Sequence, residues 1–137
     1  MSVTDILQAA RTHRDSIIAL DVYHVDDHAS TAVPIKPEDL ETRQNVFHHH
    51  TTDAKLIDAA LNTVEASGAT AHKHGAELRW KMSFRDRDGK ALLEVWHESF
   101  EAYGRIGATE VKFAHDGILK FLHQHFASQE KTLSTHK

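Results

Sequence analysis

The chain has 137 residues, 40% of them hydrophobic and 26% charged, with a formal net charge of -4 and no cysteine. That length predicts a single domain, 1–137, able to bury a core of its own. The missing cysteines exclude disulfides, thiolate nucleophiles and Cys-based zinc sites, and the mild acidity weighs against nucleic acid as a partner.

No apolar run approaches the roughly 18 residues needed to cross a membrane. The first residues, Met1 to Arg11, lack the basic flank and long apolar core of a signal peptide, so a cytoplasmic location is expected. The unusual figure is 13 histidines, which make the net charge depend strongly on pH.

Ser2-Val-Thr-Asp5 reads as a capping box opening a helix to about Thr12, with Val3, Ile6, Leu7 and Ala10 on one face. Ser16 to Val25 is rich in β-branched and aromatic residues and reads as a strand with Ile18, Leu20 and Val22 on one face. Asp26 to Glu41 is a polar loop broken by Pro34 and Pro37, with one helical turn expected at Pro37–Leu40. Thr42 to His50 reads as a second, weaker strand. Thr52 is the expected cap of the next helix, whose stripe is Leu56, Ile57, Ala60, Leu61 and Val64, and Ser67-Gly68 stops it. Ala69 to Gly75 reads as a linker.

Leu78, Trp80, Met82 and Phe84 then alternate with Arg79, Lys81, Ser83 and Arg85, the period of a half-buried strand. Asp86-Arg-Asp-Gly89 supplies turn chemistry, a second alternating run carries Leu93 and Val95 inward, and a further strand closes on Val111 and Phe113. Asp116 is the expected cap of a last helix with Ile118, Leu119, Leu122 and Phe126 facing inward, and the tail after Ser128 is polar. Together these elements predict an α+β fold. Its sheet is largely antiparallel, with a β-meander in the C-terminal half and the helices packed on one face.

Three kinds of site are consistent with these residues. The first is a charged sheet face. If Leu78, Trp80, Met82 and Phe84 point to the core, Arg79, Lys81 and Arg85 lie on the other side with Glu94, Trp96 and Glu98. Trp and Arg are frequent binding hot spots, so this face suits a protein partner. An acidic inhibitor or toxin-immunity protein could use Glu38, Asp39, Glu41, Glu94, Glu98 and Glu101 to approach a basic enzyme or toxin. The competing expectation is that Trp96 packs beneath the N-terminal helix or the Pro34 loop. The edge strand at Thr42 to His50 could equally pair with a second copy, giving a homodimer.

The second is a histidine metal site for zinc or another first-row metal. His48 and His50 share a strand face, and His24 with His28, or His72 with His74, could add ligands. No His-Glu-x-x-His spacing is present, and His123 and His125 point to different sides of a helix. The third is a small-ligand pocket between sheet and helices, lined by Trp80, Met82, Phe84 and Phe113.

Other signals fail on chemistry. Asp86 to Gly89 is followed by Lys90, Ala91 and Leu92 where a calcium loop needs oxygens. Tyr103 to Gly107 lacks the third glycine of a dinucleotide loop. The basic residues Arg79, Lys81, Arg85, Arg87 and Lys90 fall opposite Trp80 and Phe84, which a single-strand nucleic-acid platform would need on the same side. There is no P-loop and no Gly-x-Ser-x-Gly elbow, so an enzyme is not the first expectation, and whether Ser, His and Asp form a triad is left open.

Overall fold

The computed structural model describes residues 2–25, 46–75, 78–98 and 101–127. Helix α1 spans Val3–Thr12, and Ser2 Oγ accepts the Asp5 backbone N–H at 3.1 Å, one half of the expected capping box. Such a cap stabilises a helix by about 1 kcal/mol. A 3₁₀ turn at Arg14–Ser16 leads into β1, Ala19–Val25. The strand therefore starts three residues later than expected, and Ile18 lies outside it at 45% exposure. Leu20 and Val22 do face the core.

Strand β2 is Val46–Thr51, and α2 is Ala54–Glu65. Asp53, not Thr52, caps α2 by accepting the Lys55 N–H at 3.0 Å; the Thr51 hydroxyl in turn accepts the Asp53 N–H at 3.1 Å. The stripe of α2 is as expected, with Ile57, Ala60, Leu61 and Val64 buried, and the chain leaves the helix through Gly68 at φ 65°. The expected linker contains a short strand, β3 at Thr70–Ala71, paired with the last strand. Two residues make too weak an alternation to be seen in sequence.

The meander follows as β4 Trp80–Arg85, β5 Ala91–His97, β6 Tyr103–Ile106 and β7 Thr109–Lys112. At the β4–β5 turn Asp86 Oδ1 accepts the N–H groups of Asp88 and Lys90, both at 2.9 Å, and Gly89 adopts φ 81°. Leu78 precedes β4, so the strand alternation does not bind it. Contrary to the expectation that it shares their face, it packs with Val25 and Trp96, away from Trp80, Met82 and Phe84.

Helix α3, Gly117–Leu122, continues as a wider π-type turn over His123–Ala127. Asp116 stands at its N-cap without a side-chain hydrogen bond; His115 Nδ1 accepts the Gly117 N–H instead, at 3.0 Å.

All described pairings are antiparallel, in the order β2-β1-β4-β5-β6-β7-β3. One core joins the sheet to the three described helices, through Val3 and Ala10 of α1, the stripe of α2, and Ile118, Phe121 and Leu122 of α3. The helices cover one face, which makes this an α+β fold with an antiparallel sheet. Arg11 pairs with Glu65 and Arg14 with Asp58, tying α1 and the following turn to α2. No described helix is long and apolar enough to cross a membrane. The expected helical turn at Pro37–Leu40, the carboxylates Glu38, Asp39 and Glu41, His28, Thr42 to Asn45 and the tail after Ser128 fall outside the described residues.

Candidate functional site

Strand register alone assembles two rows on the sheet face away from the helices. His50, Asp21, Ser83 and Glu94 stand side by side on β2, β1, β4 and β5. Beside them run His48, Tyr23, Lys81, Trp96, Arg105 and Glu110, one from each of six strands.

Asp21 organises this face. Its Oδ1 accepts from His48 Nε2 at 2.8 Å and from His50 Nδ1 at 2.7 Å, and its Oδ2 accepts from Arg85 Nε at 2.9 Å. Arg85 also reaches the Tyr23 hydroxyl at 3.5 Å. Burial by itself would raise the Asp21 carboxyl, but the hydrogen bonds from His48, His50 and Arg85 outweigh it and hold the group below its ordinary value.

The structure thus brings His48 and His50 together, as their spacing predicts, and turns both toward one carboxylate that the sequence does not single out. Among the described residues no group of three or more His, Asp or Glu side chains is arranged to hold a metal ion. A serine-protease-like triad does not form here either. His50 Nδ1 binds Asp21, but Ser83 lies on the strand beyond Asp21, away from that histidine.

Lys81 pairs with Glu94 at 2.7 Å, and Lys81 and Arg105 sit over the Trp96 ring at 4.9 and 5.2 Å. Each such cation–π contact is worth about 0.5–2 kcal/mol. Trp96 is only 6% exposed and Lys81 3%; the indole packs in a small cluster with Val25, Leu78 and Val46. Arg79 is buried near the start of β4, where its backbone N–H donates to His97 O at 3.0 Å. Glu98 follows β5, half-buried, its N–H donating to Tyr103 O at 3.0 Å. Four of the six residues expected on a partner-binding face, Lys81, Arg85, Glu94 and Trp96, therefore share one region of the sheet, while Arg79 and Glu98 stand at its end. Glu101, the other described carboxylate of that expectation, is exposed in the β5–β6 connection.

The helix-covered face carries a different row: Phe47, His24, Trp80, His97 and Gly104 occupy opposed positions on β2, β1, β4, β5 and β6. His24 stacks on Trp80 at 3.6 Å between centroids and 9° between planes. His97 stacks on Phe113 at 5.0 Å and 3°. The glycine permits that second stack, because a Cβ on Gly104 would lie 2.6 Å from Phe113 Cε2 and would overlap the Trp96 carbonyl oxygen. His74, from the segment before β4, fastens β6 by donating from Nε2 to Gly104 O at 2.8 Å. From above, the His123 ring meets Trp80 edge-on at 5.6 Å, and Phe126 contacts His49 at 5.5 Å.

Two stacked pairs thus abut at Trp80 and His97. Trp80 is fully buried and His97 is 1% exposed, yet neither Trp80 Nε1 nor His97 Nε2 has a hydrogen-bond partner among the described residues. His97 Nδ1 donates to Glu98 O at 2.5 Å, since a carbonyl can only accept. The proton is then on Nδ1, and Nε2 presents a lone pair.

Burial is the main influence on His97 and pushes its pKa down. His123 acts in the same direction, while the Glu98 carbonyl and Asp116 oppose it. The ring is neutral at pH 7. A buried donor and a buried acceptor, carried by opposed residues of β4 and β5 and both unmet, call for a further partner.

The sequence points to His24 only as a metal ligand and does not point to His97. The alternation Leu93, Val95, His97 is the signal that could have found it, because it carries the histidine onto the core face. The described residues define an antiparallel α+β domain of seven strands with a polar pair set into an aromatic row beneath the last described helix. Compared with protein-family profiles, curated proteins and solved structures, the chain matches none.

Proposed function

We propose that the protein is a small-ligand-binding α+β domain whose site is the aromatic row of His24, Trp80, His97 and Phe113 beneath α3. The observation that carries this reading is the unmet pair, Trp80 Nε1–H and His97 Nε2, both buried beneath the last described helix. Leaving a buried polar atom unsatisfied costs about 1–3 kcal/mol each. Phenylalanine at either position would avoid that cost and keep the stacking. A binding role gives the two polar atoms a purpose that packing does not.

Stoichiometric association with another protein through the charged sheet face is the second reading. Its support is the half-exposed His48 and His50 and the Lys81–Glu94 pair at that face. The burial of Trp96 and Lys81 favours the ligand reading over it.

The test is NMR observation of the two indole N–H resonances, assigned by Trp96→Phe, while a mixture of small aromatic fragments is added. The Trp80 resonance is expected to move and that of Trp96 to stay. If no fragment moves it, and a high-resolution crystal structure shows one undisplaced water bonded to both Trp80 and His97, the site is only a hydration site.

A further inference from the structure

The chemistry of the unmet pair narrows the ligand further, on the premise of the ligand-binding reading above. Trp80 Nε1–H can only donate, and His97 Nε2, with its ring proton committed to the Glu98 carbonyl, can only accept. We infer that the site takes a small neutral ring compound carrying a hydroxyl or a lactam N–H/C=O edge, and that it releases this ligand as the pH falls.

A hydroxyl accepts from one group while donating to the other, and a lactam edge offers both functions on adjacent atoms. Carboxylates are disfavoured, having nothing to donate to the histidine lone pair. Ammonium ions are disfavoured because they cannot accept from the indole. A flat ring matches the surroundings, since the row already holds two stacks of nearly parallel rings, His24 on Trp80 and His97 on Phe113.

The pH response follows from the same geometry. Protonation converts His97 Nε2 from acceptor to donor, and two donors then face one small group. Asp116 at the start of α3 and His123 in the π-type turn act on His97 directly, His24 stands behind the Trp80 ring, and His74 bonds the carbonyl of Gly104 opposite His97. Strand β6 contributes Gly104 and β7 is followed by Phe113, neither of which titrates. In this row the unmet lone pair is that of His97, so its protonation is the one that removes a bond to the ligand.

The experiment uses the full chain and four probes: phenol, 2-pyridone, anisole and toluene. Binding is followed through the Trp80 indole resonance between pH 8 and pH 4. Phenol and 2-pyridone are expected to bind at least about tenfold more tightly than toluene, a difference of about 1.4 kcal/mol. Anisole, which accepts but cannot donate, should fall with toluene. Below the His97 titration the phenol affinity should drop about tenfold per pH unit, the slope of a single linked proton. His97→Phe keeps a ring against Phe113 and should abolish both the preference for phenol and the pH slope. Trp80→Phe, followed through the His97 ring resonances, should weaken the preference for phenol and keep the pH slope, because the bond to His97 remains, and thermal melts of both variants establish that they fold.

Equal affinity for phenol and toluene, or a phenol affinity flat with pH, overturns this inference and leaves an apolar ligand site standing. Binding of no probe, together with an undisplaced water on both atoms, overturns the inference and the ligand reading at once.

Discussion

Replacing Gly104 by Ala is expected to destabilise the fold by about 3 kcal/mol, the upper range for forcing a methyl group into a packed site. Alanine in a strand is ordinarily better than glycine by about 0.5–1 kcal/mol, so the sign is itself diagnostic. The added Cβ would overlap the Trp96 carbonyl oxygen, which is backbone and cannot turn aside, and would lie 2.6 Å from Phe113 Cε2. Strand β6 would have to move off β5, breaking the His97–Gly104 register and pushing Phe113 from the His97 ring. Urea unfolding measures the loss, and His97 ring resonances report the disturbed stack. A Gly104→Ala protein as stable as the parent would mean that β6 does not lie this close to β5, and the aromatic row would lose its geometry.

The next effect in size is expected at Asp21. Asp21→Asn keeps the size but removes the charge that three donors converge on, and hydrogen bonds to charged groups are worth about 1.5–3 kcal/mol. A loss of about 2 kcal/mol at pH 7 is expected. Because β2 lies at the edge of the sheet among the described residues, its amides should exchange faster with solvent than those of β5.

The pH dependence has a definite direction. A carboxyl held below its ordinary pKa contributes stability above that ordinary value and loses it as the pH falls through the folded one. The gap between wild type and Asp21→Asn should therefore close as the pH falls below about 4, where the carboxyl takes up its proton. A gap that widened below about pH 4 would contradict the arrangement of His48, His50 and Arg85 around this carboxylate.

The limits of the sequence are visible in particular residues. The stripe of α2 and the alternation through Trp80, Met82 and Phe84 are readable because helix and strand periods are local properties of the chain. The hairpin at Asp86 to Gly89 is readable for the same reason, since turn chemistry acts over four residues. The two-residue β3 is not, being too short to carry a period. Nor is the choice of Asp53 over Thr52 as the cap of α2, because adjacent capping residues cannot be ranked without backbone angles.

Residue order alone carries the fold class, the antiparallel meander and which residues of β4 and β5 face the core, and it places His48 and His50 on one side of one strand. What those side chains do is settled by the pairing of distant strands. Setting β1 between β2 and β4 brings Asp21 between two histidines and an arginine from 27 to 64 residues away. Pairing β4 with β5 sets Trp80 against His97, and Gly104 lets Phe113 reach that histidine across β6. Side-chain periodicity is written along the chain, whereas strand order and register follow from the burial of the whole core. Which donor meets which acceptor belongs to the second kind of information.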